Sequence, residues 1–246
     1  MSSDRVYGEI ESAFQAPATS AARDALSGGQ REHLREFWLA RAEGELTTAL
    51  SFEFMLADLR ALGAPDVLTE LAERAVGDEH RHVDWCLRFA AFWGEEARAL
   101  PRLSGTRPLT FDGASEHDNR ILRTVFGGCF SETVACEVLL ASQAELTLES
   151  VRRLNQQHIA EEVGHARLGW GLLGWSGLGA RDRSMIAAFA PEMAALTRSL
   201  WCGPKRQLDP ELQALGYLSL PMVEAACERA LTGVTLPGLE QNGVKV

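Results

Sequence analysis

The chain has 246 residues, of which 46% are hydrophobic, and this is enough apolar material for one sizeable core. Its formal charge of -10 argues against binding to nucleic acid or to an acidic membrane surface, because both need a basic protein face. The five cysteines include no Cys-x-x-Cys pair, which excludes zinc ribbons and rubredoxin-type iron sites and predicts reduced thiols.

The N-terminal residues 1–28 are polar and small, and we expect a loosely held arm with at most one short helix. The N-terminal region has no apolar run after a basic segment, so we expect no signal peptide and a cytoplasmic location. The longest apolar stretch, residues 168–180, is rich in glycine and too short to span a bilayer. No membrane partner is therefore expected.

From Gln30 onward the pattern is helical and β-branched alternation is nowhere sustained, which predicts an all-α fold. Breakers at Gly63-Ala64-Pro65 and a long connection at residues 100–118 separate the helices, and Ser150 is a candidate N-cap. We expect residues 29–178 to form a four-helix bundle of antiparallel pairs, with residues 179–246 packed on it in the same domain. The predicted helices span about 30–62, 67–95, 119–146, 150–171, 182–201 and 221–231.

Each of the four long helices has an apolar stripe at steps of three and four residues, interrupted near its middle by ionisable side chains. An unpaired buried carboxylate is costly, so four such stripes at similar depth need a shared partner. A pair of divalent metal ions would supply it. The candidate ligands are Glu45, Glu79, His82, Glu132, Glu162 and His165.

The spacing of these residues is more specific than any one of them. Glu79 with His82, and Glu162 with His165, each place a carboxylate and an imidazole on one helical face. The stripe glutamate of the preceding helix lies 34 residues upstream of the first pair and 30 upstream of the second. The axial mismatch across the turns is roughly 3–6 Å, which side chains can cover. Two such glutamates with two Glu-x-x-His pairs form the ligand set of dimetal carboxylate bundles.

The segment Asp78-Glu79-His80-Arg81-His82 resembles the Asp-Glu-x-Arg-His motif of bacterial multicomponent monooxygenases in the ferritin-like diiron carboxylate superfamily. The second half of the chain departs from it, with Glu161 in the Asp place and Gly164 in the Arg place. The resemblance covers about residues 35–172 and implies a ferritin-like bundle holding two iron ions.

The same resemblance assigns roles to the acidic residues that precede the ligand glutamates. Asp78 would orient His165 on the opposing helix, and Glu161 would orient His82. Such hydrogen bonds fix the tautomer of a ligand histidine and raise its basicity. Simple solvent exposure is the alternative for both carboxylates.

One further histidine narrows the resemblance. His158 precedes Glu162 by four residues, and the pattern His158-x-x-x-Glu162-x-x-His165 is similar to that of the diiron arylamine N-oxygenases, such as p-aminobenzoate N-oxygenase. In them an extra histidine binds metal, which implies His158 as a seventh ligand. The alternative is a core histidine that bonds a carboxylate or water.

The resemblance implies that two ferrous ions bridged by carboxylates reduce dioxygen to a bridging peroxide, which oxygenates a small organic substrate. The reaction would be N-oxygenation or hydroxylation, with electrons from an external reductase because no flavin or ferredoxin motif is present. A ferritin-like ferroxidase, a manganese catalase-like enzyme and a helical scaffold with a vestigial site are the alternatives. Tyr7 and Tyr217 lie outside the ligand helices, which disfavours a radical-generating reductase subunit. Apolar faces on the accessory helices would permit a homodimer.

Other side chains receive weaker predictions. Five lie one turn from proposed ligands and could pack in the core or wall a small substrate pocket: Phe52, Cys86, Phe89, Cys129 and Cys136. Glu43 and Glu53 are rival ligands on the first helix, while Glu137 lies off the stripe and His80 faces away from it.

Overall fold

The computed structural model describes residues 3–94, 107–202 and 210–246, and every regular element within these ranges is helical. The all-α fold class predicted from the sequence is confirmed. Two π-helical segments, Phe126–Ser131 and Ala230–Thr235, join α5 to α6 and α10 to α11. The helices are α1 (Ser3–Phe14), α2 (Pro17–Asp24), α3 (Gly28–Leu62), α4 (Asp66–Trp93), α5 (Glu116–Val125), α6 (Glu132–Gln143), α7 (Glu149–Gly174), α8 (Ala180–Trp201), α9 (Pro210–Gln213), α10 (Leu220–Arg229) and α11 (Leu236–Gln241).

Helices α3 and α4 form a long hairpin whose ends follow from local sequence. Ser27 caps α3, because its Oγ accepts a hydrogen bond from the Gln30 amide while the Gln30 side chain accepts one from the Ser27 amide. Gly63 ends the helix at a φ of +66°, a conformation that costs glycine little. Pro65 then precedes α4, so the predicted breaker is the turn of the hairpin.

The second hairpin joins the run α5–π–α6 to α7, and here the structure differs from the predicted single α-helix. A π turn holds more residues than an α turn, so it rotates the side chains that follow it. After this segment, Ala135 and Cys136 are only half-buried, whereas Val134 and Val138 are buried. Glu132, the first residue of α6, stays buried directly after the π segment.

The π segment and α7 touch through backbone. A Cβ added at Gly128 would lie 2.3 Å from the Gly169 nitrogen, and one added at Gly169 would lie 2.7 Å from the Cys129 nitrogen. No side chain larger than hydrogen fits at either position. This contact sets the spacing between the helices that carry Glu132 and Glu162.

The N-terminal segment of the chain and the start of α7 also differ from the predictions. Residues 1–28 were expected to be a loose arm, but α1 packs on α7 and buries Ile10 completely. Ser150 was expected to cap the fourth helix, but α7 begins at Glu149 after Leu148, and Ser150 is fully buried. The apolar positions of α1 and the packing around Ser150 outweigh the local polar composition.

The predicted C-terminal accessory region contains helices α8 to α11. Helix α8 packs against α5, and helix α10 packs against α6. The Thr235 hydroxyl, in the second π segment, donates to the Cys129 carbonyl in the first, at 2.9 Å. The predicted 100–118 connection lies partly outside the described residues. Its described part has no helix before Glu116.

The helical run Glu116–Gln143 is long and apolar enough to cross a membrane by length and composition, and it is longer than the 168–180 stretch considered above. Within the protein, however, 67% of its most apolar window is buried. A helix in the core of a domain has the same two properties. The run packs against α7 and contains Glu132.

The Gly128–Gly169 contact predicts a large effect of one methyl group. Gly169→Ala should lower the free energy of unfolding by about 1–3 kcal/mol, because backbone must move to admit the Cβ. Gly164→Ala, on the same helix with open space around the Cβ, should raise it by about 0.5–1 kcal/mol. Urea unfolding of both variants measures the difference. Equal effects would contradict the proposed close approach.

Candidate metal centre

Ionisable side chains from α3, α4, α6 and α7 meet inside the protein. Their donor atoms form three overlapping groups, and within each group all the atoms lie within 4.8 Å of one another. Two groups have four members and share Glu79 and Glu162, and the third is Glu45, His82 and His158. The arrangement therefore has two neighbouring positions for a cation that share two carboxylates. The first group is Glu45, Glu79, His82 and Glu162, and the second is Glu79, Glu132, Glu162 and His165.

His82 defines the first position. Its Nδ1 lies 3.3 Å from Glu79 Oε2, 3.5 Å from Glu162 Oε1 and 4.0 Å from Glu45 Oε2. Two ligand atoms bound to one ion at about 2.1 Å lie about 3–3.5 Å apart when their angle is near 90–110°. The first two separations suit ligands of a common ion, and Glu45 needs only a small side-chain movement.

His165 defines the second position in the same way. Its Nδ1 lies 3.1 Å from Glu79 Oε1, 3.0 Å from Glu162 Oε2 and 4.0 Å from Glu132 Oε2. The two oxygens of Glu79 therefore face different histidines, and so do those of Glu162. A carboxylate placed in this way can bridge two ions.

The Glu79 carboxylate shows most clearly that the group needs a cation. It is fully buried, and among the residues that the structure describes neither of its oxygens, nor His82 Nδ1, has a hydrogen-bond partner. Burying a carboxylate with both oxygens unsatisfied costs several kcal/mol. Within the described residues no Lys or Arg nitrogen lies within 4.0 Å of the carboxylates of Glu79, Glu132 or Glu162. The donor set consequently fits a pair of divalent metal ions.

His82 and His165 each contact a further carboxylate through the ring nitrogen that faces away from the cation position. His165 Nε2 lies 3.3 Å from Asp78 Oδ2, and His82 Nε2 lies 2.9 Å from Glu161 Oε2. A proton on Nε2 satisfies these contacts and leaves the Nδ1 lone pair directed at the cation position. Arg81 bonds Asp78 and lies 3.5 Å from Glu161 Oε1, so it links the two outer carboxylates. The structure thus brings together both pairs expected from the resemblance.

Tyr7 is a contact that the sequence analysis missed. Its hydroxyl donates to Glu161 Oε2 at 2.8 Å, while Gln157 Nε2 donates to Glu161 Oε1 at 2.8 Å. Burial and the Glu161 charge raise the pKa of Tyr7, so it stays a donor. The tyrosine ring stacks on Trp85. Helix α1 is therefore tied to the site, although nothing in the local sequence indicates a partner 154 residues away.

Arg41 was also missed. Its Nε donates to Glu45 Oε1 at 3.0 Å, and its Nη2 lies 2.9 Å from Nδ1 of His158. His158 is fully buried, with its ring centroid 4.0 Å from that of His82. The sequence did contain a signal for Arg41, because it precedes Glu45 by four residues and so lies on the same helical face.

Burial and neighbouring charges shift the pKa values of several of these side chains toward their protonated forms. Burial, partly opposed by Arg41, raises the pKa of Glu45 to about 7, and burial with the Glu162 charge raises that of Glu132 well above its usual range. Burial alone would lower the pKa of His82, but the Glu161 hydrogen bond and the nearby glutamates raise it to about 10. A cation would displace these protons.

The proposed pocket residues differ in their distance from the site. Phe52 is fully buried, with its ring 5.1 Å from the ring of His165. Burial and the negative charges of Glu45 and Glu79 raise the pKa of the Cys86 thiol. Cys136 is half-buried, and burial with the charges of Glu162 and Glu132 raises the pKa of its thiol. Phe89 packs in an aromatic cluster with Trp38 and Phe14, and Cys129 lies against Gly169.

The rival ligands lie away from the centre. Glu43 and Glu53 are exposed on α3, as is His80 on α4. Glu137 lies 3.6 Å from Arg229 instead of near the candidate ligands.

Comparisons of the chain with protein-family models, with curated proteins and with solved structures found no match in any of the three. The case for a metal centre consequently rests on the positions and burial of the side chains described above.

The raised pKa values predict how stability depends on pH. The pKa of Glu45 rises from 4.5 to about 7 on folding and that of His82 from 6.5 to about 10, so the folded metal-free protein holds protons that the unfolded chain releases. The melting temperature of metal-free protein should therefore fall between about pH 5 and pH 9. Bound Mn²⁺ should reduce this slope, because it replaces the protons.

Thermal unfolding in EDTA and in excess Mn²⁺ measures both slopes. Glu45→Gln should reduce the slope between about pH 5 and pH 7, where Glu132 still contributes, and Glu43→Gln, at an exposed site on α3, should leave it unchanged. A melting temperature that rises with pH in the metal-free protein would contradict these shifts.

The Tyr7 contact predicts an effect on metal affinity at long range. Tyr7→Phe removes the hydroxyl that donates to Glu161, the carboxylate that contacts His82 Nε2. Loss of a hydrogen-bonding residue outside the ligand set changes metal affinity by about 10-fold. We expect weaker binding of one Mn²⁺ and little change for the other, measured by competition with a chelator. Equal loss at both positions would instead indicate general destabilisation of the fold.

Proposed function

We propose that this protein is a ferritin-like four-helix dimetal protein that uses two iron ions to activate dioxygen and oxygenate a small organic molecule. The observation that carries the proposal is the pair of buried four-residue groups that share Glu79 and Glu162. In this assignment those two carboxylates would be shared by the two ions. The terminal ligands are Glu45 and His82 at one ion, and Glu132 and His165 at the other.

Charge balance supports a pair of divalent ions. The site contains four inner carboxylates and two outer ones, and arginines supply two positive charges. With neutral histidines, four negative charges are left uncompensated, and two divalent cations balance them. The groups counted are Glu45, Glu79, Glu132, Glu162, Asp78, Glu161, Arg41 and Arg81.

Bound ferrous ions would supply two electrons to dioxygen, and an external reductase would restore them. The protein contributes the remaining conditions. Its buried carboxylates fix the ions side by side, Asp78 and Glu161 hold the ligand histidines in one tautomer, and Phe52 excludes water beside His165. Insertion of one oxygen atom into an N–H or C–H bond consumes one dioxygen, two electrons and two protons and releases water.

The resemblance of the α7 pattern to arylamine N-oxygenases makes an aryl amine the first substrate to test. The same ligands suit manganese, so a manganese catalase-like enzyme is the alternative, and metal analysis of protein from its native host distinguishes the two. A ferroxidase or iron store would form a cage-sized assembly on gel filtration. We further propose a cytoplasmic protein that receives its electrons from a separate donor.

Anaerobic titration with iron(II) tests the metal centre. The wild-type chain should bind two irons, and Glu79→Gln should lose at least one of them, because the bridging carboxylate becomes an amide. Glu70→Gln, at an exposed position on the same helix, should bind two.

Oxygen chemistry is tested next, on the iron-loaded protein. Admission of dioxygen should give a transient absorption band on rapid mixing, and aryl amines should shorten its lifetime and yield oxygenated products by mass spectrometry. Binding of fewer than two metal ions per chain, or identical binding by Glu79→Gln, would sink the dimetal proposal. Two bound irons that do not react with dioxygen would remove the oxygenase assignment alone.

A further inference from the structure

The contact between Arg41 and His158 determines which nitrogen of that histidine carries its proton. A guanidinium group can only donate hydrogen bonds, so the His158 Nδ1 that lies 2.9 Å from Arg41 Nη2 must accept one. A neutral imidazole has a single N–H. With Nδ1 as the acceptor, the proton of His158 is on Nε2.

The Nε2 atom of His158 is buried and has no hydrogen-bond partner within the described ranges 3–94, 107–202 and 210–246. The residue is fully buried, and one of its ring nitrogens lies within 4.8 Å of donor atoms of both Glu45 and His82. A buried N–H with no acceptor is costly, and within a folded protein it indicates a binding partner. The candidate partner must offer a lone pair beside the first cation position.

Coordination by His158 is incompatible with this arrangement. A histidine that binds a metal through Nε2 carries its proton on Nδ1 and donates it to an acceptor. Here that N–H would face the N–H of Arg41, and two donors would oppose each other. Coordination through Nδ1 would require the Arg41 contact to break.

We propose that Arg41 keeps His158 out of the metal coordination sphere, and that His158 Nε2–H is a hydrogen-bond donor to an exogenous anionic ligand at the Glu45 and His82 position. The inference rests on the proposed dimetal function and deepens it. It assigns six protein ligands to the centre instead of the seven suggested by the arylamine N-oxygenase pattern.

The surroundings of this position suit an exogenous anion. Arg41 occupies Glu45 Oε1, so Glu45 has only Oε2 left for the metal, and the first ion has four protein ligands. Iron(II), manganese(II) and cobalt(II) accept five or six ligands, so the first position stays open. The fixed positive charge of Arg41 and the N–H of His158 both favour a ligand that carries negative charge.

Two substitutions separate the ligand role from the donor role. His158→Asn keeps an acceptor near the Nδ1 position for Arg41 but has no group at the Nε2 position. His158→Gln places an amide N–H near the Nε2 position and removes the ring. Neither side chain reproduces an imidazole ligand, so a coordinating histidine would be lost in both.

The experiment uses the full chain loaded with cobalt(II), whose d–d absorption reports the number and type of its ligands, and azide as the exogenous anion. Both variants should bind two cobalt ions with the wild-type d–d spectrum. Azide should bind His158→Asn about 10-fold more weakly than wild type, the equivalent of one hydrogen bond to a charged acceptor, and His158→Gln should retain most of the affinity. His80→Asn, at an exposed site on α4, is the matched control and should match wild type.

Arg41→Gln provides the converse test. Its amide oxygen can accept from Nδ1–H, so His158 becomes free to coordinate, and the d–d spectrum and cobalt affinity should change. Adding His158→Asn to this variant should reverse the part of the change that comes from His158, and the part that remains measures the release of Glu45 Oε1 from Arg41. Circular dichroism checks that each variant is folded.

The outcomes separate this inference from the proposal beneath it. Loss of a cobalt ion or an altered d–d spectrum in His158→Asn would show that His158 is a ligand and would overturn the inference. Unchanged azide affinity in that variant would also overturn it. A wild-type chain that binds no cobalt would instead overturn the dimetal function.

Discussion

The organisation of this protein depends on one electrostatic constraint, the burial of four glutamates in a shared interior without a lysine or arginine for most of them. Only Glu45 has an arginine partner among the described residues. Neither carboxylate oxygen of Glu79 has a hydrogen-bond partner in the described part of the chain, and its removal from water is compensated only if a cation or protons occupy the centre. In the metal-free protein, protons on the histidines and on the more basic glutamates serve that purpose. A cation bound at this site would have to replace such protons, so its affinity would rise with pH.

The sequence predicted the helices and the inner residues because both depend on local spacing. Glu-x-x-His fixes two side chains on one face whatever the surroundings are, and the Gly-Ala-Pro breaker fixes where the first hairpin turns. The all-α class followed from the same periodicity. The π segment was not predictable in this way, because apolar spacing over Phe126–Ser131 does not distinguish a π turn from an α turn, and the close approach of Gly128 to Gly169 exists only in the folded chain.

What the sequence could not reveal were the contacts made at long range. Tyr7 belongs to a segment whose composition suggested a loose arm, and only the packed structure shows its hydroxyl on Glu161. Arg41 was within reach of sequence reasoning, since it lies one turn from Glu45. It was overlooked because an arginine on an apolar stripe is ordinarily assigned to the solvated edge of a helix, whereas here it reaches His158.

The contacts of Tyr7 and Arg41 make the Glu45 position differ from the Glu132 position, although the ligand pattern is nearly symmetric. The Glu45 side has a guanidinium group in direct contact with a ligand, and this positive charge weakens the local attraction for a cation. The Glu132 side has no arginine in contact with its inner ligands within the described residues, and Phe52 lines it instead. Since the same two bridging carboxylates serve both positions, this difference falls on the terminal ligands. A cation should bind more tightly at the Glu132 position than at the Glu45 position. The Glu45 position should be the more open to exogenous ligands. An approximately two-fold arrangement of ligands can therefore give two chemically distinct ions, because the residues that break the symmetry lie just outside the ligand set.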